Sequence, residues 1–94
     1  MAYLVTGANG NIASRIVDLL AARGFGVHAL TRQPLAQTAP QGVRAFLGDL
    51  TAQSFDGELF SGVEAAFLFP AEGSLEAFLQ AAKAQGVKRI IVLS

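Results

Sequence analysis

The 94-residue chain has no cysteine and no tryptophan, and only one histidine, one tyrosine and one methionine. Without cysteine there is no disulfide framework and no thiolate metal site, and His28 alone does not assemble a histidine-rich one. The chain therefore reads as metal-free. An excess of charge of one sign is also missing: seven basic residues offset seven acidic ones, for a formal net charge of +0, and neither set is clustered. That removes the long-range field that would draw nucleic acid or an anionic bilayer. No apolar run reaches the ~18 residues of a membrane span, and the N-terminus lacks a basic segment followed by a small-residue cleavage site. The expectations are no nucleic-acid partner, no membrane and a cytoplasmic location. What is present is apolar material, 52% of the residues, enough for one core in a length too short for two domains.

That apolar material is punctuated at regular intervals. Ala2 to Thr6 is a short run of strand formers ended by Gly7, the pattern of a buried parallel strand. From Asn11 the period changes: Ile12, Ile16, Leu19, Leu20 and Phe25 recur at helical spacing, Arg15, Asp18 and Arg23 fall opposite, and Gly24 supplies the stop. Gly26 to Thr31 predicts a second strand, closed by Arg32, Gln33 and Pro34. Gln33 to Gly42 is polar and carries Pro34 and Pro40, which predicts a loop where a crossover helix might otherwise sit. Val43 to Leu47 is a third strand leading into Gly48, Asp49 and Leu50. Ser54 to Phe60 suits a short helix with Phe55, Leu59 and Phe60 inward.

Val63 to Phe69 is nearly continuous in apolar character and stops at Pro70, as a central strand buried on both faces would. Ser74 is a cap for a helix with Leu75, Phe78, Leu79 and Ala82 as its stripe and Gly86 as its end. Arg89 to Leu93 is a fifth strand, and Ser94 follows it. Strands alternating with helical segments imply parallel pairing through right-handed crossovers. The expected fold is α/β, a doubly wound parallel sheet of five strands in the order 3-2-1-4-5.

In such a sheet the stretch TGANGNIA forms the turn between the first strand and the first helix, at the edge where open α/β sheets bind ligands. Gly7 permits a tight turn, Gly10 lets backbone amides come close to a pyrophosphate, and Ala13 lets the helix pack against the strand. The helix start offers unpaired N–H groups and the positive end of its dipole. Thr6, Gly7, Asn9, Gly10, Asn11 and Ile12 are the candidate binding residues of this turn. Asn9 and Asn11 also accept left-handed backbone angles and suit a helix cap, so their side chains need not touch ligand. A phosphate loop of the Gly-Lys-Ser/Thr type is excluded, because no such triplet follows.

At this point the sequence resembles the short-chain dehydrogenase/reductase superfamily, and within it the atypical, NmrA-like branch. The resemblance is carried by VTGANGNIASRIVDLLAARG, by ALTRQP, by Gly48-Asp49-Leu50 and by AAKAQGVKRIIVLS, in order along nearly the whole chain. It implies a Rossmann-like NAD(P)-binding domain over residues 1–94, truncated after the fifth strand, with the glycine loop on the cofactor pyrophosphate. It also implies Asp49 beside the adenine amino group, Leu50 packed nearby, and Phe69 and Pro70 flanking the cofactor ribose. Otherwise Asp49 is a turn aspartate, and Phe69 and Pro70 a buried strand end and its breaker.

The choice of cofactor is read from the residues. NAD-preferring folds place Asp or Glu at the end of the second strand to accept from the ribose hydroxyls. Between Val27 and Gln33 the only charged residue is Arg32, and a guanidinium matches a 2′-phosphate in geometry and sign. NADP(H) is therefore expected, with NAD(H) as the alternative; a solvated arginine closing a strand is the competing view of Arg32. Catalytically complete members of the superfamily use a tyrosine and a lysine four residues later, beyond the fifth strand. No Tyr-x-x-x-Lys occurs here, Tyr3 and His28 sit within strands, and no catalytic residue is assigned. Two functional classes follow. One is the NADP(H)-binding portion of an NmrA-like oxidoreductase, quinone- or azo-reducing when complete; the other is a non-catalytic NADP(H)-sensing regulator. A fifth strand left as an open edge also predicts self-association.

Overall fold

The computed structural model describes residues 2–34, 39–69 and 75–93. They form β1 (Ala2–Thr6), α1 (Asn11–Ala22), β2 (Gly26–Thr31), β3 (Val43–Leu47), a one-turn 3-10 helix (Gly57–Phe60), β4 (Val63–Leu68), α2 (Glu76–Ala84) and β5 (Arg89–Val92). Every pairing is parallel, and the sheet order is β3-β2-β1-β4-β5, the Rossmann-like arrangement expected.

Alternation along the strands supplies both cores, since successive side chains leave a strand on opposite faces. Leu4, Leu30, Ala66 and Leu68 meet Leu59, Phe60 and Phe78 beneath the 3-10 helix and α2. Val5, Val27 and Ala29 meet Ala13 and Val17 beneath α1. A parallel sheet covered on both faces has no polar side to show, which is why its strands read as apolar runs.

The helices correct the expected stripes. In α1 the buried residues are Ala13 and Val17, with Ile16 and Leu20 partly covered, whereas Ile12 and Leu19 are 61% and 56% exposed. The small side chain of Ala13 brings α1 so close to the sheet that contact centres on it, and the bulkier flanking positions are rotated outward. In α2, Phe78 and Ala82 are buried while Leu79 is exposed. Phe25 follows α1 and sets its ring edge-on to Tyr3, centroids 5.2 Å apart. The expected cap Ser74, like Pro70 and Ser94, lies outside the described residues. α2 begins at Glu76, with Leu75 in the cap position and no side-chain cap bond. β4 ends at Leu68, one residue before the expected Phe69.

Because every strand runs the same way, Thr6, Thr31, Leu47 and Leu68 all finish at one edge of the sheet. The chain leaves β1 toward β2 on one side, and β4 continues toward β5 on the other. The two directions part between β1 and β4, which opens a crevice at that edge.

Phe78 is fully buried and packs against Phe55 and Phe60 at centroid distances of 5.4 and 5.3 Å. Phe78→Ala should cost about 3–5 kcal/mol, comparable to the whole stability of a small domain. Leu79→Ala, one residue on and exposed, should change stability by under about 0.5 kcal/mol. Urea unfolding followed by circular dichroism checks both.

Candidate functional site

The turn after β1 is narrow because two of its residues lack side chains. Gly7 has a φ of +64°, which costs a residue with a Cβ about 1–2 kcal/mol. The Gly10 N–H donates to the Gly7 carbonyl at 2.8 Å. A Cβ at Gly10 would stand 3.2 Å from that same carbonyl oxygen. The need for glycine at position 10 is therefore one of space, since its φ of −71° is open to any residue.

Gly10 is also the N-cap of α1, and its carbonyl accepts from the Ser14 N–H at 2.8 Å. No side chain caps this end, and the first turn carries no acidic residue. The N–H groups of the first turn, from Asn11 onward, have no carbonyl one turn earlier and face out of the helix end. This is the positive pole of the helix. The left-handed or capping role expected for Asn9 and Asn11 is not taken: among the described residues only glycines have positive φ, and α1 has no side-chain cap bond. Asn11 is instead the first helical residue.

The opposite wall of the turn is fixed by Thr6. Its hydroxyl accepts from the Phe69 N–H at 3.0 Å and lies 3.4 Å from the Phe67 carbonyl, tying the end of β1 to the exit of β4. Thr6 is 1% exposed, so it shapes the crevice more than it offers a hydroxyl to it. Phe69 closes over the turn, its Cβ 3.7 Å from where a Gly7 Cβ would be.

These elements enclose a cavity of about 730 Å³ at the carboxyl edge of the sheet. It brings together Thr6, Gly7, Asn9 and Gly10 with Arg32, Asp49, Leu50 and Phe69. Asn11 and Ile12 lie just beyond its lining, exposed on the first turn of α1. Pro70 is outside the described residues. Leu30, Thr31, Gln33 and Gly48 also line the cavity and were not expected. Thr31 had a signal, since it is a hydroxyl at the end of an apolar strand, next to Arg32.

The charged side chains on the described lining are Arg32 and Asp49. One Asp49 carboxylate oxygen accepts from the Thr51 N–H at 2.9 Å and the Thr51 hydroxyl at 2.8 Å. The Thr51 backbone bond, then the Thr51 hydroxyl, and more weakly the Arg32 charge hold its pKa below the ordinary carboxylate value, against a small opposing effect of desolvation. His28 belongs to the other face. Its Nδ1 is 2.7 Å from the Leu59 carbonyl, which can only accept, so Nδ1 carries the proton and the ring is structural.

An uncapped helix start, a loop whose side chains are deleted where a ligand backbone must approach, and a crevice at the switch point define a Rossmann-type dinucleotide-binding protein. Residues 7–94 match the family described as NAD(P)H-binding, and the chain belongs to that family. Among solved structures, MoeE5 in complex with UDP-glucuronic acid and NAD is 28% identical with a TM-score of 0.75, covering 98% of this chain and 36% of that one. A short-chain dehydrogenase/reductase superfamily protein from Agrobacterium tumefaciens with bound NAD is 26% identical with a TM-score of 0.69, covering 98% and 32%. A Rossmann-fold NAD(P)-binding family protein from Shigella flexneri shares the fold at 23% identity and a TM-score of 0.79, covering 95% and 49%. The chain thus spans about a third to a half of these relatives' length. No curated protein matches it significantly.

A carboxyl whose folded pKa is lowered adds stability above its unfolded pKa and loses it as pH falls through the folded value. For Asp49 that window lies below about pH 3.9. Thr51→Val removes the hydroxyl donor and should raise the Asp49 midpoint toward the ordinary value, as read by carboxyl NMR titration; an unmoved midpoint would contradict this origin of the shift.

Proposed function

We propose that the chain is the NADP(H)-binding, adenosine-side portion of an NmrA-like oxidoreductase of the short-chain dehydrogenase/reductase superfamily, quinone- or azo-reducing in a longer parent. In this reading residues 1–94 are the N-terminal nucleotide-binding domain of a cytoplasmic enzyme. The observation that carries the cofactor choice is Arg32. It stands on the cavity wall directly after β2, where an NAD-preferring site would hold a carboxylate. Its guanidinium supplies forked donors and a charge to a 2′-phosphate.

A diphosphate at this place is supported by the two glycines on the cavity wall and by the uncapped helix start. Gly7, Gly10 and the first amides of α1 bind and orient the pyrophosphate. Asp49 accepts from the adenine amino group, Leu50 packs on the base, and Phe69 with Pro70 borders the ribose. When bound, the nicotinamide supplies hydride chemistry. The second reading is a non-catalytic sensor of NADP(H). Turnover with a quinone or azo acceptor in the longer parent distinguishes the two. Among the described residues β5 pairs on one side only, and Ile90, Ile91 and Val92 are exposed along it; this supports self-association of the 94-residue chain through that edge, checked by sedimentation at rising concentration.

Calorimetric titration with NADPH, NADH and an adenosine 2′-phosphate fragment tests the cofactor choice. NADPH should bind more tightly than NADH, and the fragment almost as tightly as NADPH. Arg32→Ala should weaken NADPH about 10- to 100-fold, the size of a charged hydrogen-bond contribution. A preference for NADH that the substitution leaves unaltered would overturn it.

A further inference from the structure

Arg32 can select a 2′-phosphate only if the exposed turn that carries it is held in place. Past Thr31 the chain leaves the sheet, and Arg32, Gln33 and Pro34 are all exposed. Among the described residues, no backbone–backbone hydrogen bond holds residues 32–34. Two side chains hold the turn instead.

The Thr31 hydroxyl, on a residue 5% exposed, donates to the Gln33 carbonyl at 2.8 Å and accepts from the Gln33 N–H at 3.3 Å, closing the chain around Arg32. The Asn9 carboxamide donates to the Thr31 hydroxyl at 3.3 Å and to the Pro34 carbonyl at 3.1 Å. It therefore grips the turn on both sides of Arg32. Only a group with two hydrogens on one nitrogen reaches both acceptors, so aspartate, serine or threonine would lose at least one bond.

We infer that Asn9, acting through Thr31, is a positioning residue for cofactor selection: it locks the Arg32 turn to the glycine loop, so that the pyrophosphate and 2′-phosphate sites are held in fixed relation. Asn9 lies between Gly7 and Gly10, so its backbone belongs to one site and its side chain to the other. A ligand with both groups meets a preset spacing, and a ligand lacking the 2′-phosphate gains nothing from the lock. The inference rests on the assignment of Arg32 to the 2′-phosphate made above.

The test is the ratio of NAD⁺ to NADP⁺ dissociation constants, measured by calorimetry on the full chain. Asn9→Ala, which removes two neutral hydrogen bonds, and Thr31→Val, which removes three, should each lower that ratio about 3- to 10-fold, mainly by weakening NADP⁺. Thr31→Ser keeps the hydroxyl and should keep the ratio. In an Arg32→Ala background, adding Asn9→Ala should lower the ratio no further. If Arg32→Ala collapses the ratio but Asn9→Ala and Thr31→Val leave it unchanged, or weaken both dinucleotides equally, the positioning role is wrong and the Arg32 assignment stands. If Arg32→Ala itself leaves the ratio unchanged, the Arg32 assignment fails and the positioning role with it.

Discussion

The site depends on how little room there is between the carbonyl of Gly7 and the α-carbon of Gly10. A single added carbon at position 10 would press on that carbonyl at 3.2 Å. A side chain there would push the Gly7 carbonyl back by a few tenths of an ångström and loosen the turn. The tight turn delivers the start of α1 directly above the end of β1, with its amides unpaired and its positive pole at the crevice. Thr6 makes the arrangement rigid, since its buried hydroxyl joins β1 to the exit of β4 across the point where the chain directions part. Packing supports the same geometry: Ala13, 2% exposed, lets α1 lie close to the sheet.

Affinity for an anion in a chain of zero net charge must then be local. The formal charges cancel overall, so no general field gathers phosphates, and the positive features of the cavity are two local ones: the helix start and Arg32. Asp49 balances Arg32 nearby and stays ionised, because Thr51 donates to it twice. The cavity thus carries donors at the helix start and at Arg32 and an acceptor at Asp49. Separated donors and acceptors of this kind recognise a nucleotide by shape and polarity more than by total charge.

Much of this was legible in the sequence, for a physical reason. Strands buried on both faces must be apolar throughout, and glycine turns with positive φ at least cost, as at Gly7, Gly24 and Gly86. Apolar runs bounded by such residues disclosed all five strands and their order. Helix faces were less legible. Ile12, Leu19 and Leu79 fit an apolar stripe by spacing yet are exposed, because the buried line runs through Ala13 and Val17 in α1 and through Phe78 and Ala82 in α2, and spacing alone does not say which part of a wide stripe faces the sheet. The Asn9–Thr31 link was not legible at all. It joins residues 22 apart, and neither residue type announces a partner at that distance.

In the proposed function, backbone amides between residues 7 and 13 grip a diphosphate. An amide-resolved NMR titration of the chain with NADP⁺ addresses it directly. Saturable shifts should concentrate on the N–H groups of Gly7, Asn11, Ile12 and Ala13. Saturable binding that leaves those four amides unmoved while resonances elsewhere respond would contradict it.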